Sequence, residues 1–310
     1  MSPMKSKIIF SKIIPILLFC VISLASCGRG ANTVPSVRFD RTTAFENMTE
    51  IAEIGQRHSG SEGALSTVEL IEKKLTEYGV PHFRDEWYED TAYGKILFRN
   101  VVAQIKVPGK NNLILLGTHY DTKKLENCPG FQGANDGASG VAILLECSRI
   151  LLESRAKLKK NLEIVFFDGE ECMFSYSEKD GLHGSKRHLR KLIERGEKCD
   201  AVIITDMLAD ADLDAIIPSE SDSKLAAILL KTASELGVSK HFRQKNINMV
   251  DDHCPFLEVG IPSLLLIDFN YGPNSIFWHS SGDRLENVSE QSLGISGELL
   301  YHFVIKITSN

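Results

Sequence analysis

The stretch LEIVFFDGEECMF, residues 162–174, is an apolar run of strand length that stops on two successive glutamates. Neighbouring side chains at a strand end point to opposite sides of the chain, so Glu170 and Glu171 can do different work beside one metal ion. Glu171 suits a ligand, and Glu170 suits a proton shuttle between nucleophile and leaving group. Asp168 and Gly169 complete a turn more acidic than a solvated surface loop needs.

Other segments repeat the design of an apolar run closed by a side chain able to bind metal. NLILLGTHYDT (112–122) ends in His119, with Asp121 two residues on, where a carboxylate can accept the second ring N–H and fix the tautomer. GFQGANDGASGVAILLE (130–146) places Asp136 among four glycines before a helix. Either Asp136 leaves the loop to reach a metal, or Asn135 or Asp136 caps that helix. AVIITDMLAD (201–210) contains Asp206 at the end of its run, and FWHSSGDRLENVS (277–289) supplies Trp278 and His279. Trp278 reads equally as core or as the wall of a substrate pocket. VDDHCPFLEVGIPSLLLIDF (250–269) carries Asp251, Asp252 and His253 ahead of another buried strand; His253 fits a hydrogen-bonded structural histidine better than a ligand. His58, His82, His183, His188, His241 and His302 read as structural or surface residues.

Taken in order, His119, Asp136, Glu171, Asp206 and His279 are strand-end residues, and an open α/β sheet gathers its active site outside the carboxyl ends of its strands. Two imidazoles and three carboxylates suit a hydrolytic zinc centre. Helical periodicity at 43–56, 64–79, 138–154, 184–195, 222–236 and 289–306 alternates with strand candidates at 97–107, 113–118, 162–167, 201–205 and 263–267. The alternation predicts a single three-layer α/β/α domain with a mixed, mostly parallel sheet and an antiparallel edge. Pro108-Gly109-Lys110-Asn111-Asn112 reads as a hairpin turn joining the first two strands.

With 310 residues, 43% of them hydrophobic, the chain can bury one large core. The formal charge of -6 and the lack of a basic stripe interleaved with aromatics argue against a nucleic-acid partner. KLKKN (157–161) and SKRHLRK (185–191) fit solvated helix faces or ends. At the N-terminus, Lys5, Lys7 and Lys12 precede an apolar stretch from Ile13 to Leu24, too short for a comfortable membrane span and shaped like an export signal. It leads into Leu24-Ala25-Ser26-Cys27, which resembles the lipobox of bacterial lipoproteins. A lipoprotein signal at 1–26, a lipidated tether at 27–42 and a catalytic domain at 43–310 are therefore expected. Cys27 would anchor the protein by lipid to a membrane of the bacterial envelope, facing periplasm or cell surface. The five other mature cysteines have no CxxC spacing and form neither a disulfide framework nor a thiolate zinc site. Cys172 fits a small buried hydrophobe rather than a nucleophile.

GTHYDT, GANDGASG, FFDGEE, TD and WHSSGD occur in the order seen in zinc-dependent exopeptidases of the aminopeptidase type, and RHSGSEGA (57–64) is similar to that family's early substrate-side loop. Over residues 45–305 the chain most resembles the glutaminyl cyclase branch, through FFDGEECMFSYSEKDGLHGSKRHL, the doubled acid of DDHCPFLEVGIP and Trp278 before His279. That resemblance implies a peptide or protein N-terminus as substrate, acted on by a monomer, and two alternative mechanisms. As a two-zinc aminopeptidase, His119, Asp136, Glu171, Asp206 and His279 hold both ions, Asp136 bridges them and Glu170 activates water. As a cyclase, Asp136, Glu171 and His279 hold one zinc, Glu170 moves the proton, and Asp206 and Asp251 form an acid network beside it. Tyr176 stands where animal cyclases carry a pocket tryptophan, Leu265 where they carry a histidine, and GANDGASG is nearer the peptidase form. A catalytically inactive binding lipoprotein would show ligand losses, and none is evident.

Overall fold

The computed structural model describes residues 38–309. The export signal at 1–26, Cys27 and most of the expected tether lie outside the described residues. The described residues begin inside that tether, and Asp40 caps helix α1 (Arg41–Glu53) by accepting from the Thr42 and Thr43 amides. The Phe39 ring is buried against Gly297, where a Cβ would stand 2.2 Å from it. The amides of Phe39 and Asp40 donate to Glu298 and Glu146. Residues 39–42 therefore pack with the domain, because the buried Glu146 carboxylate, the half-buried Glu298 carboxylate and a cap tie their backbone down.

The domain is a three-layer α/β/α structure around an eight-stranded mixed sheet of order β1-β2-β4-β3-β5-β8-β6-β7. The strands are β1 (His82–Thr91), β2 (Gly94–Ile105), β3 (Leu113–His119), β4 (Asn161–Phe167), β5 (Cys199–Asp206), β6 (Ala215–Pro218), β7 (Phe242–Lys245) and β8 (Ser263–Ile267). β4, β3, β5 and β8 run parallel through the middle, and β3 and β4 are buried at every position. Such strands read as continuous apolar runs, since helices cover both faces.

The remaining helices are α2 (Glu62–Glu77), α3 (Ala138–Glu153), α4 (His183–Arg195), α5 (Ser223–Glu235), α6 (Cys254–Glu258) and α7 (Glu290–Ser309). β3 leads through α3 to β4 on one side, and β4 leads through α4 back past β3 to β5 on the other. Right-handed crossovers in opposite directions put α3 and α4 on opposite faces. Accordingly α3 packs with α1, α2 and α7, whereas α4 packs with α6.

The hairpin expected at 108–112 does not form. β4 lies between β2 and β3, so the connection spans two strand spacings, about 10 Å. Asn161, the first residue of β4, holds it there: its side chain accepts from the Val107 amide at 2.8 Å and donates to the Lys110 carbonyl at 2.8 Å. The hairpin of this edge is instead β1–β2, closed at Thr91↔Gly94. β1 escaped the periodicity because its sequence HFRDEWYEDT is rich in charge and nowhere fully buried. β6, β7 and α6 were also missed; at four, four and five residues they are too short to show a period.

Candidate active site and metal centre

Loops at the carboxyl ends of β3, β4, β5 and β8 bring the strand-end residues together. His119 closes β3; its Nε2 lies 3.1 Å from Asp206 Oδ1, at the end of β5, and 3.3 Å from Asp136 Oδ1. His279 Nε2 lies 2.9 Å from Glu171 Oε1 and 3.3 Å from Asp136 Oδ2. Asp136 thus turns one oxygen toward each imidazole, and two three-residue groups share it. Ligands about 2.0–2.2 Å from a tetrahedral zinc stand about 3.3–3.6 Å apart. The observed separations come close to that, so the donor set fits zinc.

Backbone conformations that few side chains adopt aim these groups. His279 has φ 49° and Met207, directly after Asp206, has φ 53°. A non-glycine residue in the left-handed region costs on the order of 1–3 kcal/mol and clusters at functional sites. Gly137, at φ 95°, has no room for a side chain, because a Cβ would come within 2.8 Å of the Asp121 carbonyl. It takes the N-cap position of α3 without any side-chain cap. Capping is therefore not the role of Asn135 or Asp136. The Asn135 side chain instead accepts from the Ala209 amide at 2.8 Å, tying the Asp136 loop to the segment after β5.

Asp121 also differs from expectation. The His119 Nδ1 partner is the Asp121 backbone carbonyl at 3.0 Å, with the carboxylate 3.7 Å away. The carboxylate accepts from the Glu170 and Glu171 amides at 3.1 and 3.3 Å, and so fixes the acidic turn. Asp168, in that same turn, accepts from the Ser59 hydroxyl and the Arg99 amide and serves the surrounding loops. Burial, with the nearby Asp121 charge, pushes its carboxyl up to about 7.

Two residues essential to this framework went unassigned in the sequence. Arg57 is completely buried, and its guanidinium donates to four backbone carbonyls: Tyr120 at 3.0 Å, Gly55 at 2.9 Å, Gln132 at 2.6 Å and Gly133 at 2.8 Å. It joins the loop after His119 to the loop before Asp136. Asp283 accepts from the Asn135 and Asp136 amides at 2.8 and 3.2 Å and from the Tyr271 hydroxyl. Both lie inside the motifs RHSGSEGA and WHSSGD, where polar and small neighbours give no sign of their burial.

A cavity of about 340 Å³ opens on the two groups, with Glu170, Tyr176, Asp251 and Trp278 in its wall. Trp278 stacks on the His279 ring at 4.0 Å and meets Phe269 edge-on, with 38% of its surface exposed, so it is pocket wall rather than core. The Tyr176 hydroxyl donates to Glu170 Oε1 at 2.8 Å. Burial raises the Glu170 carboxyl well above its ordinary range; the His119 charge opposes this, and Glu171, Asp251 and Asp252 add to it. Asp251 is raised likewise, by burial and then by Asp206 and Asp252. His253 is fully buried, with Nε2 3.4 Å from Glu220, apart from both metal-type groups. The Lys123 ammonium lies 3.8 Å from Glu171. The assembly can therefore hold a divalent cation, polarise a carbonyl beside it and exchange a proton through Glu170.

Comparison with known proteins agrees with this geometry. The sequence model of peptidase family M28 matches residues 100–304. A glutaminyl-peptide cyclotransferase of Drosophila melanogaster is 30% identical over 246 residues, covering 68% of each chain. The crystal structure of an Acidobacteriales bacterium glutaminyl cyclase superposes with a TM-score of 0.80 at 29% identity, covering 88% of this chain and 95% of that one. A leucine aminopeptidase precursor from Bacteroides thetaiotaomicron shares the fold at 21% identity, with a TM-score of 0.74 and 88% and 98% covered. Buried strand-end ligands, a doubled glutamate and these relatives converge: the chain is an enzyme of peptidase family M28, and within it belongs with the glutaminyl-peptide cyclotransferases.

Proposed function

We propose that this enzyme converts the N-terminal glutamine of peptides to pyroglutamate with release of ammonia. The observation that carries the reading is Glu170: a buried carboxyl, hydrogen-bonded by Tyr176, lining one cavity together with the Asp136–Glu171–His279 group and Asp251. Bound by Asp136, Glu171 and His279, one zinc ion would supply the Lewis acid that polarises the γ-amide carbonyl. Glu170 takes the proton of the substrate α-amine as its nitrogen bonds to the side-chain carbonyl carbon. It then delivers that proton to the departing amide nitrogen, which leaves as ammonia. Tyr176 orients Glu170, and the buried carboxyls of Asp206 and Asp251 form the acid network that keeps a proton available beside it. Trp278 closes the cavity wall and excludes water. Attack within one bound substrate needs a rotamer and no positioned water.

A second reading rests on the other group. Asp136 also faces His119 and Asp206, and two ions bridged by Asp136 would suit an aminopeptidase, with Glu170 as base toward water. Metal-replete protein is to be given a Gln-initiated peptide and an aminoacyl anilide. Pyroglutamyl product with ammonia, at one zinc per chain, supports cyclisation; amino-acid release at two zinc ions supports hydrolysis and overturns it. We place the enzyme in the bacterial envelope as a monomer anchored by lipid on Cys27. Labelled fatty acid should enter the wild type and not Cys27→Ser.

A further inference from the structure

A second cavity, about 420 Å³, lies on the far side of Glu171, beneath the β1–β2 hairpin. Glu171 lines both cavities, so the two adjoin at that side chain. Its walls are largely apolar, with Phe98, Ile96 and Met173 facing residues of the 58–60 loop. Two exposed lysines are among its lining residues, Lys95 on β2 and Lys124 on the loop after β3. Among the described residues neither enters an ion pair; Lys95 sits 5.0 Å over the Tyr88 ring. The acids of this cavity are already engaged. Asp121 accepts from two backbone amides, and Glu171 faces His279. His58 is held below its ordinary value, by burial and then by Lys124, so it adds no charge at neutral pH. In a chain of net charge -6, two ammonium groups without a carboxylate partner mark a place for an anion.

We propose that this cavity receives the substrate chain beyond its N-terminal residue and selects peptides with a carboxylate at the second or third position, bound between Lys95 and Lys124. This rests on the reading that a peptide N-terminus occupies the first cavity. An extended chain advances about 3.3–3.6 Å per residue, which carries the following residues past Glu171 under the hairpin. The carboxylate could be an acidic side chain or the C-terminus of a tripeptide.

Steady-state pyroglutamate formation is to be measured on Gln-Ala-Glu amide, Gln-Ala-Gln amide and Gln-Ala-Ala as free acid and amide. The enzymes are the wild type, Lys95→Gln/Lys124→Gln and Lys95→Glu/Lys124→Glu. The acidic peptide should show a KM about three- to tenfold lower than its neutral counterpart, the scale of one or two exposed ion pairs, at unchanged kcat. The difference should vanish in the glutamine variant and reverse in the glutamate variant. A lowered KM for the free acid alone assigns the site to a C-terminus. Equal KM values in the wild type, or a preference surviving in the glutamine variant, overturns the proposal. If no peptide yields pyroglutamate, the cyclase reading fails by itself, and the same contrast is read from Kd values by calorimetry on zinc-loaded protein.

Discussion

Arg57→Lys tests whether one buried cation holds the two halves of the metal centre in register. Four of the five guanidinium N–H groups meet carbonyls of Tyr120, Gly55, Gln132 and Gly133. An ammonium group has three N–H groups on one point and nothing at the position of Nε, so it leaves about two of those carbonyls without a donor. An orphaned buried acceptor costs about 1–3 kcal/mol, giving roughly 2–6 kcal/mol in total. For a domain of this size that lowers the melting temperature by roughly 4–24 °C. The damage should also be local, because Tyr120 follows His119 and Gly133 opens the Asp136 turn. Zinc affinity should therefore fall in the fraction that remains folded. Burial lowers the Arg57 pKa to about 10, against the pull of Asp283, Asp136 and Asp121, and the group stays charged at neutral pH. The assays are thermal unfolding of the chelated protein and a competitive zinc titration well below the variant's midpoint. A midpoint within 2 °C of wild type, roughly the noise of such a scan, with unaltered zinc affinity would refute the clamp.

Glu170→Gln should keep zinc while turnover falls by about 100-fold or more, because the proton carrier is gone; near-normal rates in metal-replete protein would remove Glu170 from that role. Asp251→Ala should reduce pyroglutamate formation more than any anilide hydrolysis, and equal loss of both would detach Asp251 from the cyclase chemistry. Glu163 sits fully buried on β4 with His188 at 3.0 Å and Arg195 beside it. Burial raises its carboxyl, but the His188 and Arg195 interactions prevail and hold it at about 2, below its ordinary 4.5. A depressed carboxyl stabilises the fold above pH 4.5, and that stability is lost as pH falls through about 2. Glu163→Gln should flatten the stability profile across this window, and a wild-type slope in the variant would place the acid sensitivity elsewhere.

The strand-end residues of the site were legible because a buried strand is a short local signal whose last residue points at the site. LEIVFFDGEE shows strand, turn and both acids in ten residues, and the M28 motifs are built from such pieces. Sheet order was less legible. Nothing in residues 97–118 states that β4 will enter between β2 and β3; Asn161, over forty residues later, does that. Positioning groups were equally hidden. The partners of Arg57 are backbone carbonyls that carry no side-chain signature, and the choice of carbonyl over carboxylate for His119 depends on how the Asp121 loop turns.

By itself, then, the sequence determined the class of fold, the strand-end acids and histidines that could serve as metal donors and the adjacency of Glu170 and Glu171, because these follow from periodicity and side-chain chemistry along the chain. Only the tertiary structure decided that Asp136 turns a different oxygen toward each imidazole, that Asp121 braces the glutamate turn, and that a second cavity with two lysines in its lining adjoins the first. Those depend on distances between segments far apart in sequence, which only the packing of the sheet and its loops determines.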